Sequence, residues 1–211
     1  MERLVLLENN IEFILKRAVV SLEKGGIVAY PTETFYGLGV KFDIENSLKK
    51  LLEIKNRPKD KAMPLIIGNT GLLTLITHSL NHRAFILMER FWPGPLTLIL
   101  PAREDISDYI TAGTGKVAVR IPGKSFALHL AKKTNFPFTA TSANPSGMPP
   151  ARDAETVMKY FGKVIDLLID GGHTPGDMPS TIVDVTEKEI KILRKGLINI
   201  DSIKRALDLK V

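Results

Sequence analysis

Gly26-Ile27-Val28-Ala29-Tyr30, followed by Pro31-Thr32-Glu33-Thr34, decides how this chain is read. The first five residues form a short buried strand, and the next four mark where it must give way to a polar loop. Upstream, Ile11, Ile14, Leu15, Ala18, Val19 and Leu22 recur at helical spacing, predicting a helix over 10–24 that Gly25-Gly26 stops. Downstream, Leu48, Leu51, Leu52 and Ile54 predict a helix over 44–55 with Asp43 as N-cap. Arg57-Pro58 ends it, because the residue before proline avoids the helical region.

The same reading predicts strands over 65–67, 96–100, 117–121, 136–140, 164–169, 180–185 and 191–194. Helices are predicted over 80–91, 125–133 and 153–161, the last capped by Asp153, and Asp201 opens a closing helix. Several strands follow one another through short loops. The expected fold class is therefore mixed α/β, a twisted mixed sheet flanked by helices, in one domain over residues 1–211.

Composition narrows the function classes. Of 211 residues, 44% are hydrophobic and 25% charged, the balance of an ordinary globular chain. No stretch approaches the roughly 20 apolar residues that span a bilayer. Glu2, Glu8 and Glu12 interrupt the apolar N-terminus, so no leader and no membrane association are expected, and the expected location is cytoplasmic. The absence of cysteine removes disulfides, thiolate catalysis and zinc–sulfur sites together. His78 and His82 stand four apart on an expected helix, without the HExxH pattern of a metal site. The net charge, 29 − 23 = +6, suits an anionic ligand such as a nucleotide or RNA and equally a lysine-rich solvated surface.

The polar motifs lie where strands or helices end. Lys55-Asn56-Arg57-Pro58-Lys59-Asp60-Lys61 places four cations in seven residues directly after a helix. Arginine offers a planar fork to phosphate oxygens and lysine a point charge, although such a run also serves as a solvated face. Thr141-Ser142-Ala143-Asn144-Pro145-Ser146-Gly147 offers hydroxyls, an amide and backbone N–H groups to phosphate or ribose, or is an ordinary Asx-Pro turn. Arg120 sits in the apolar run Val117–Pro122 and needs a partner: Glu33, Asp170 or a ligand carboxylate. Gly171-Gly172 to Ser180 is a glycine- and proline-rich candidate lid. The P-loop, the GxGxxG fingerprint and the GxSxG elbow are all missing, so an ATP site here is of another type.

Six motifs in order give the chain a family resemblance: Pro31–Leu38, Lys55–Pro58, Phe91–Thr97, Val119–Pro122, Thr141–Asn144 with Ser146-Gly147, and Pro179–Asp184. Over residues of about 10–200 the chain resembles the YrdC-type threonylcarbamoyl-AMP synthases, in their short single-domain form. The resemblance implies a twisted open sheet with a large basic concave cleft. It implies that L-threonine, bicarbonate and ATP, with Mg2+, give threonylcarbamoyl-AMP and pyrophosphate. A partner transferase would pass the group to tRNAs reading ANN codons, and the basic face implies binding of tRNA or double-stranded RNA.

By the same resemblance, Thr34, Arg120, Ala140 and Ser180 would hold threonine, with Arg120 on its carboxylate. Lys55, Arg57 and Lys61 would meet the phosphates, Ser142 and Asn144 would line the nucleotide side, and Pro150 and Arg194 would flank adenine or ribose. Lys55, Arg57, Ser142 and Asn144 are the expected catalytic set, with no metal ligand from protein side chains. The chain departs from the family where Lys61-Ala62-Met63-Pro64-Leu65 is longer than usual and Gly68 stands near a customary histidine. Two other readings remain at this point: an RNA-binding module without turnover, and a carbamoyl-transfer domain.

Overall fold

A computed structural model describes residues 1–208. The chain runs β1 (Glu2–Val5), α1 (Ile11–Glu23), β2 (Val28–Pro31), β3 (Tyr36–Gly39), α2 (Glu45–Ile54), β4 (Leu65–Ile66) and a 3-10 helix (Thr70–Leu75). It continues α3 (His82–Phe91), β5 (Leu96–Pro101), α4 (Asp108–Thr111), β6 (Lys116–Arg120), α5 (Phe126–Lys133), β7 (Phe138–Thr139) and β8 (Thr141–Ser142). It closes with α6 (Ala154–Phe161), β9 (Leu167–Asp170), β10 (Thr181–Asp184), β11 (Lys191–Arg194) and α7 (Ile200–Ala206).

The mixed α/β class holds, but the single expected sheet is two. One has the order β1-β9-β2-β3-β8 and the other β11-β10-β5-β6-β4-β7. Each mixes parallel and antiparallel pairs: β2 runs parallel to β9 and antiparallel to β3, and β5 runs parallel to β10 and antiparallel to β6. The strand expected over 136–140 is split between the sheets. β7 pairs with β4, β8 pairs with β3, and Ala140 is the residue at which the chain crosses. A further join is made by the Thr139 N–H on Val40 O at 2.9 Å.

β2 is buried on both faces, which is why its sequence reads as an unbroken apolar run. Its side chains alternate between two cores. Val28 and Tyr30 face α1 and α5 with Ile14, Leu15, Leu22, Phe126 and Leu130, while Ala29 faces the core shared with Leu65, Leu98, Val119 and Val183. β3, absent from the sequence reading, returns antiparallel from β2 with residues 32–35 as the connecting loop. Its alternation is hidden by glycines at 37 and 39. A Cβ at Gly39 would lie 2.8 Å from Tyr30 Cε1 and 3.2 Å from Phe138 Cδ2, so the rings leave no room for a side chain.

Local expectations fare unevenly. Asp153 does cap α6, its carboxylate accepting from Thr156 N at 2.7 Å. Asp43 does not cap α2, because Lys41 Nζ holds its carboxylate at 2.9 Å and Ile44 takes the cap position. His82 opens α3 and His78 lies before it, so the two histidines do not share a helix. No described helix is long and apolar enough to cross a membrane.

Candidate functional site

Strand register builds one wall of a cleft. Ile182 stands opposite both Thr97 and Arg194, and continuing the β5–β6 register one residue past Leu98–Val119 sets Thr97 opposite Arg120. Residues in one cross-strand row share a face. Arg120, Thr97 and Arg194 therefore line up at one end of the sheet, with Ser180 two residues before Ile182 on the same face. The opposite wall comes from the other sheet, through the 32–35 loop and Ser142. Ala140, at the crossing, sits where the two meet. The resulting cavity, about 120 Å³ in volume and partly open to solvent, is lined by Thr32, Thr34, Phe35, Tyr36, Arg57, Thr97, Arg120, Ala140, Ser142, Ser180 and Arg194, among others.

Arg120 is 6% exposed and pairs with Glu33, Nη1 donating to Oε1 at 2.5 Å. Of the partners left open by the sequence, Glu33 is thus the protein's own; Asp170 is held by Arg3 at 2.7 Å. Burying a lone guanidinium would be costly, and Glu33 offsets this while occupying one nitrogen. Across the row, Arg194 donates from Nε to Ser180 O at 3.0 Å and from Nη2 to Ser180 Oγ at 2.8 Å, and Thr97 Oγ1 lies 2.9 Å from the same hydroxyl. Burial lowers the Arg194 pKa, and the charges of Arg120 and Arg57 lower it further. Arg194 thus feels the positive charge of both other guanidiniums across the cleft, the electrostatic condition that favours an anion there.

The 55–62 and 142–148 segments are arranged differently. Lys55 is 2% exposed and does not line the cavity. Its ammonium donates to the carbonyls of Ser142 and Asn144, the second at 2.5 Å, and Ser146 N returns a bond to Lys55 O at 2.7 Å. Burial, and secondarily the charge of Arg57, pulls the Lys55 pKa down to about 7. Arg57 reaches the cavity, but its Nε and Nη2 donate to Lys61 O at 3.1 Å and Ala62 O at 2.7 Å. Asn144 donates to Pro145 O and Met148 O, and its Oδ1 is buried without a partner. Lys61 is exposed, and neither it nor Pro150 lines the cavity. Arg194, expected at the nucleotide, bonds Ser180, expected at the amino acid, so the structure joins the two sets.

Sequence reasoning passed over Thr32, Thr97 and Tyr36 as site residues. Tyr36 donates to Gly172 O at 2.8 Å and accepts from Gly171 N at 3.1 Å, fixing the start of the 171–180 segment over the cavity. Burial pushes its phenol up to about 12. Tyr36 belongs to the strand hidden by its glycine neighbours, so no alternation announced it. Gly68, the departure from the family pattern, also has a packing reason. A Cβ there would lie 2.0 Å from the Ala131 carbonyl oxygen at the end of α5, so any larger residue would displace that helix. Among the described residues no group of three or more His, Asp or Glu side chains is placed to hold a metal.

Comparison with known proteins bears on the fold and the family. A Sua5/YciO/YrdC family model, described as "Telomere recombination", matches residues 20–196. The threonylcarbamoyl-AMP synthase of Pyrococcus abyssi is 38% identical over 196 residues, covering 93% of this chain and 58% of that protein. That of Vibrio parahaemolyticus is 34% identical over 178 residues, covering 83% of this chain and 95% of its own. The crystal structure of P. abyssi Sua5 complexed with L-threonine superposes with a TM-score of 0.90 at 36% identity, over 98% of this chain and 60% of that one. This chain therefore spans less than two thirds of the Pyrococcus protein and nearly all of the Vibrio one. On the family match and these identities, the chain belongs to the Sua5/YciO/YrdC family.

Proposed function

We propose that this chain is an L-threonylcarbamoyl-AMP synthase, joining L-threonine, bicarbonate and ATP and releasing pyrophosphate. The observation that carries the reading is the cavity at the sheet crossing. It sets guanidiniums of Arg120 and Arg194 and the Ser180 hydroxyl against the Thr34 hydroxyl and the Ala140 backbone. The Ala140 N–H is committed to Pro64 O at 2.7 Å, so what that backbone offers a ligand is its carbonyl. Donors on one side and acceptors on the other suit an amino-acid zwitterion, and the relative named above was crystallised with L-threonine.

The chemistry asks for positioning more than for a strong base. The neutral threonine amine attacks bicarbonate with loss of water, or CO2 with loss of a proton to solvent, to form a carbamate, and a carbamate oxygen then attacks the α-phosphorus as the bond to pyrophosphate breaks. Both reactants are poor and the carbamate is labile in water. Orientation in a shielded cleft supplies much of the acceleration. Arg57, which lines the cavity, would meet phosphate charge, and Lys61 would add to it from outside the cavity lining. Mg2+ would enter as part of the ATP substrate, and no step is assigned to a protein-held metal. The adenylate would pass to a transferase acting on tRNA.

The test is pyrophosphate release with L-threonine, bicarbonate and ATP together. Release is expected to cease when any one is omitted. Equal release without threonine would sink the proposal.

A further inference from the structure

The 32–35 loop holds a hydroxyl whose proton can be placed by elimination. Thr32 Oγ1 lies 2.7 Å from the Phe35 carbonyl, 3.0 Å from Thr34 N and 3.0 Å from Thr34 Oγ1. A carbonyl only accepts, so the single Thr32 hydroxyl proton is given to Phe35 O. A backbone N–H only donates, so one Thr32 lone pair is taken by Thr34 N. The third contact has one remaining arrangement: Thr34 Oγ1 donates to the second Thr32 lone pair. Thr32 is then saturated, and the Thr34 proton points at Thr32 rather than into the cavity. Both threonines are 6% exposed and both line the cavity, so little water competes for these bonds.

We propose that Thr32 is a positioning and specificity-determining residue: it fixes the Thr34 hydroxyl as a hydrogen-bond acceptor, so that the cavity takes a donor group of the amino acid at that point. The inference rests on the reading of the cavity as an amino-acid site. The donor is either the ammonium or the side-chain hydroxyl of threonine. The opposite wall is donor-rich, through Arg120 and Arg194, and the two walls together impose one orientation on the ligand. Without the Thr32 hydroxyl, the Thr34 proton would be free to turn into the cavity and oppose that donor.

The experiment is calorimetric binding of L-threonine, and of L-valine as the isostere without a hydroxyl, to wild type, Thr32→Val and Thr32→Ser. Thr32→Val is expected to weaken L-threonine by about ten-fold, while Thr32→Ser restores wild-type affinity and the KM for ATP stays unchanged in all three. A loss seen with L-threonine and not L-valine identifies the hydroxyl as the donor; an equal loss with both identifies the ammonium. On a Thr34→Val background, Thr32→Val is expected to add little. Wild-type affinity in Thr32→Val would overturn the inference while leaving the proposed function standing. Failure of the wild type to bind L-threonine at all would overturn both. Proton NMR of the wild type provides a readout independent of any variant: the Thr34 hydroxyl proton is expected to contact Thr32, and a proton directed at bound threonine would overturn the assignment.

Discussion

The two halves of the cleft and its surroundings satisfy their polar groups in different ways. On the side of Thr34, Arg120 and Ser180, each side chain has a side-chain partner, Arg120 with Glu33, Arg194 with Ser180 and Thr34 with Thr32, beside backbone bonds from Arg194 and Thr32. On the side of Lys55, Arg57 and Asn144, side chains are placed on nearby backbone carbonyls: Lys55 on 142 and 144, Arg57 on 61 and 62, Asn144 on 145 and 148. That second half also holds the one buried side-chain polar atom without a partner among the described residues, Asn144 Oδ1. A buried orphan acceptor marks an arrangement that a ligand or a local shift would complete. Under the proposed function, the first half would take its ligand with its side-chain pairs in place, and the second would have to release donors before phosphates could use them.

The largest test of this contrast is Arg120→Ala. It would strand Glu33, whose side chain is 14% exposed, and is expected to cost about 3 kcal/mol of folding free energy along with threonine-dependent activity. Denaturant unfolding checks the first, and retained wild-type stability would show that Glu33 does not depend on the pair. If Arg57 serves the phosphates as proposed, Arg57→Ala should leave L-threonine binding intact and lower kcat/KM for ATP by about 100-fold. Loss of threonine affinity in that variant would erase the distinction between the halves.

A smaller effect follows from Lys55, whose folded pKa of about 7 lies below that of the unfolded lysine. Between the two values the unfolded chain binds more protons, so Lys55 makes stability rise with pH across that window. Below about pH 7 both states are protonated and the full cost of the buried charge is present. Unfolding measured from about pH 7 to about pH 10 should therefore show an upward slope in wild type that Lys55→Met lacks. Parallel pH profiles would mean that Lys55 is not burdened by its burial.

The contrast also explains what was legible in the sequence. Ile11 to Leu22 and Val28 to Tyr30 announced α1 and β2, because helical spacing and an apolar run report burial directly. Asp153 was visible as a cap because its role is local. β3 escaped because Gly37 and Gly39 yield their space to Tyr30, a condition set by another strand. The split at Ala140 escaped because residues 138–142 look extended whichever sheet they join. In the site, the motifs marked Arg57, Arg120 and Ser142 as polar groups at element ends. They left the direction of each hydrogen bond open. That Lys55 would serve carbonyls of the 142–144 turn, and that Arg194 would serve Ser180, depends on a tertiary register that no local motif encodes.

The most direct measurement is to supply isotopically labelled bicarbonate with ATP and L-threonine and to examine the nucleotide products by mass spectrometry. The account predicts a labelled adenylate carrying the mass of threonylcarbamoyl-AMP, formed together with pyrophosphate and absent when threonine is withheld. ATP turnover to AMP or ADP with no label entering any nucleotide would contradict it.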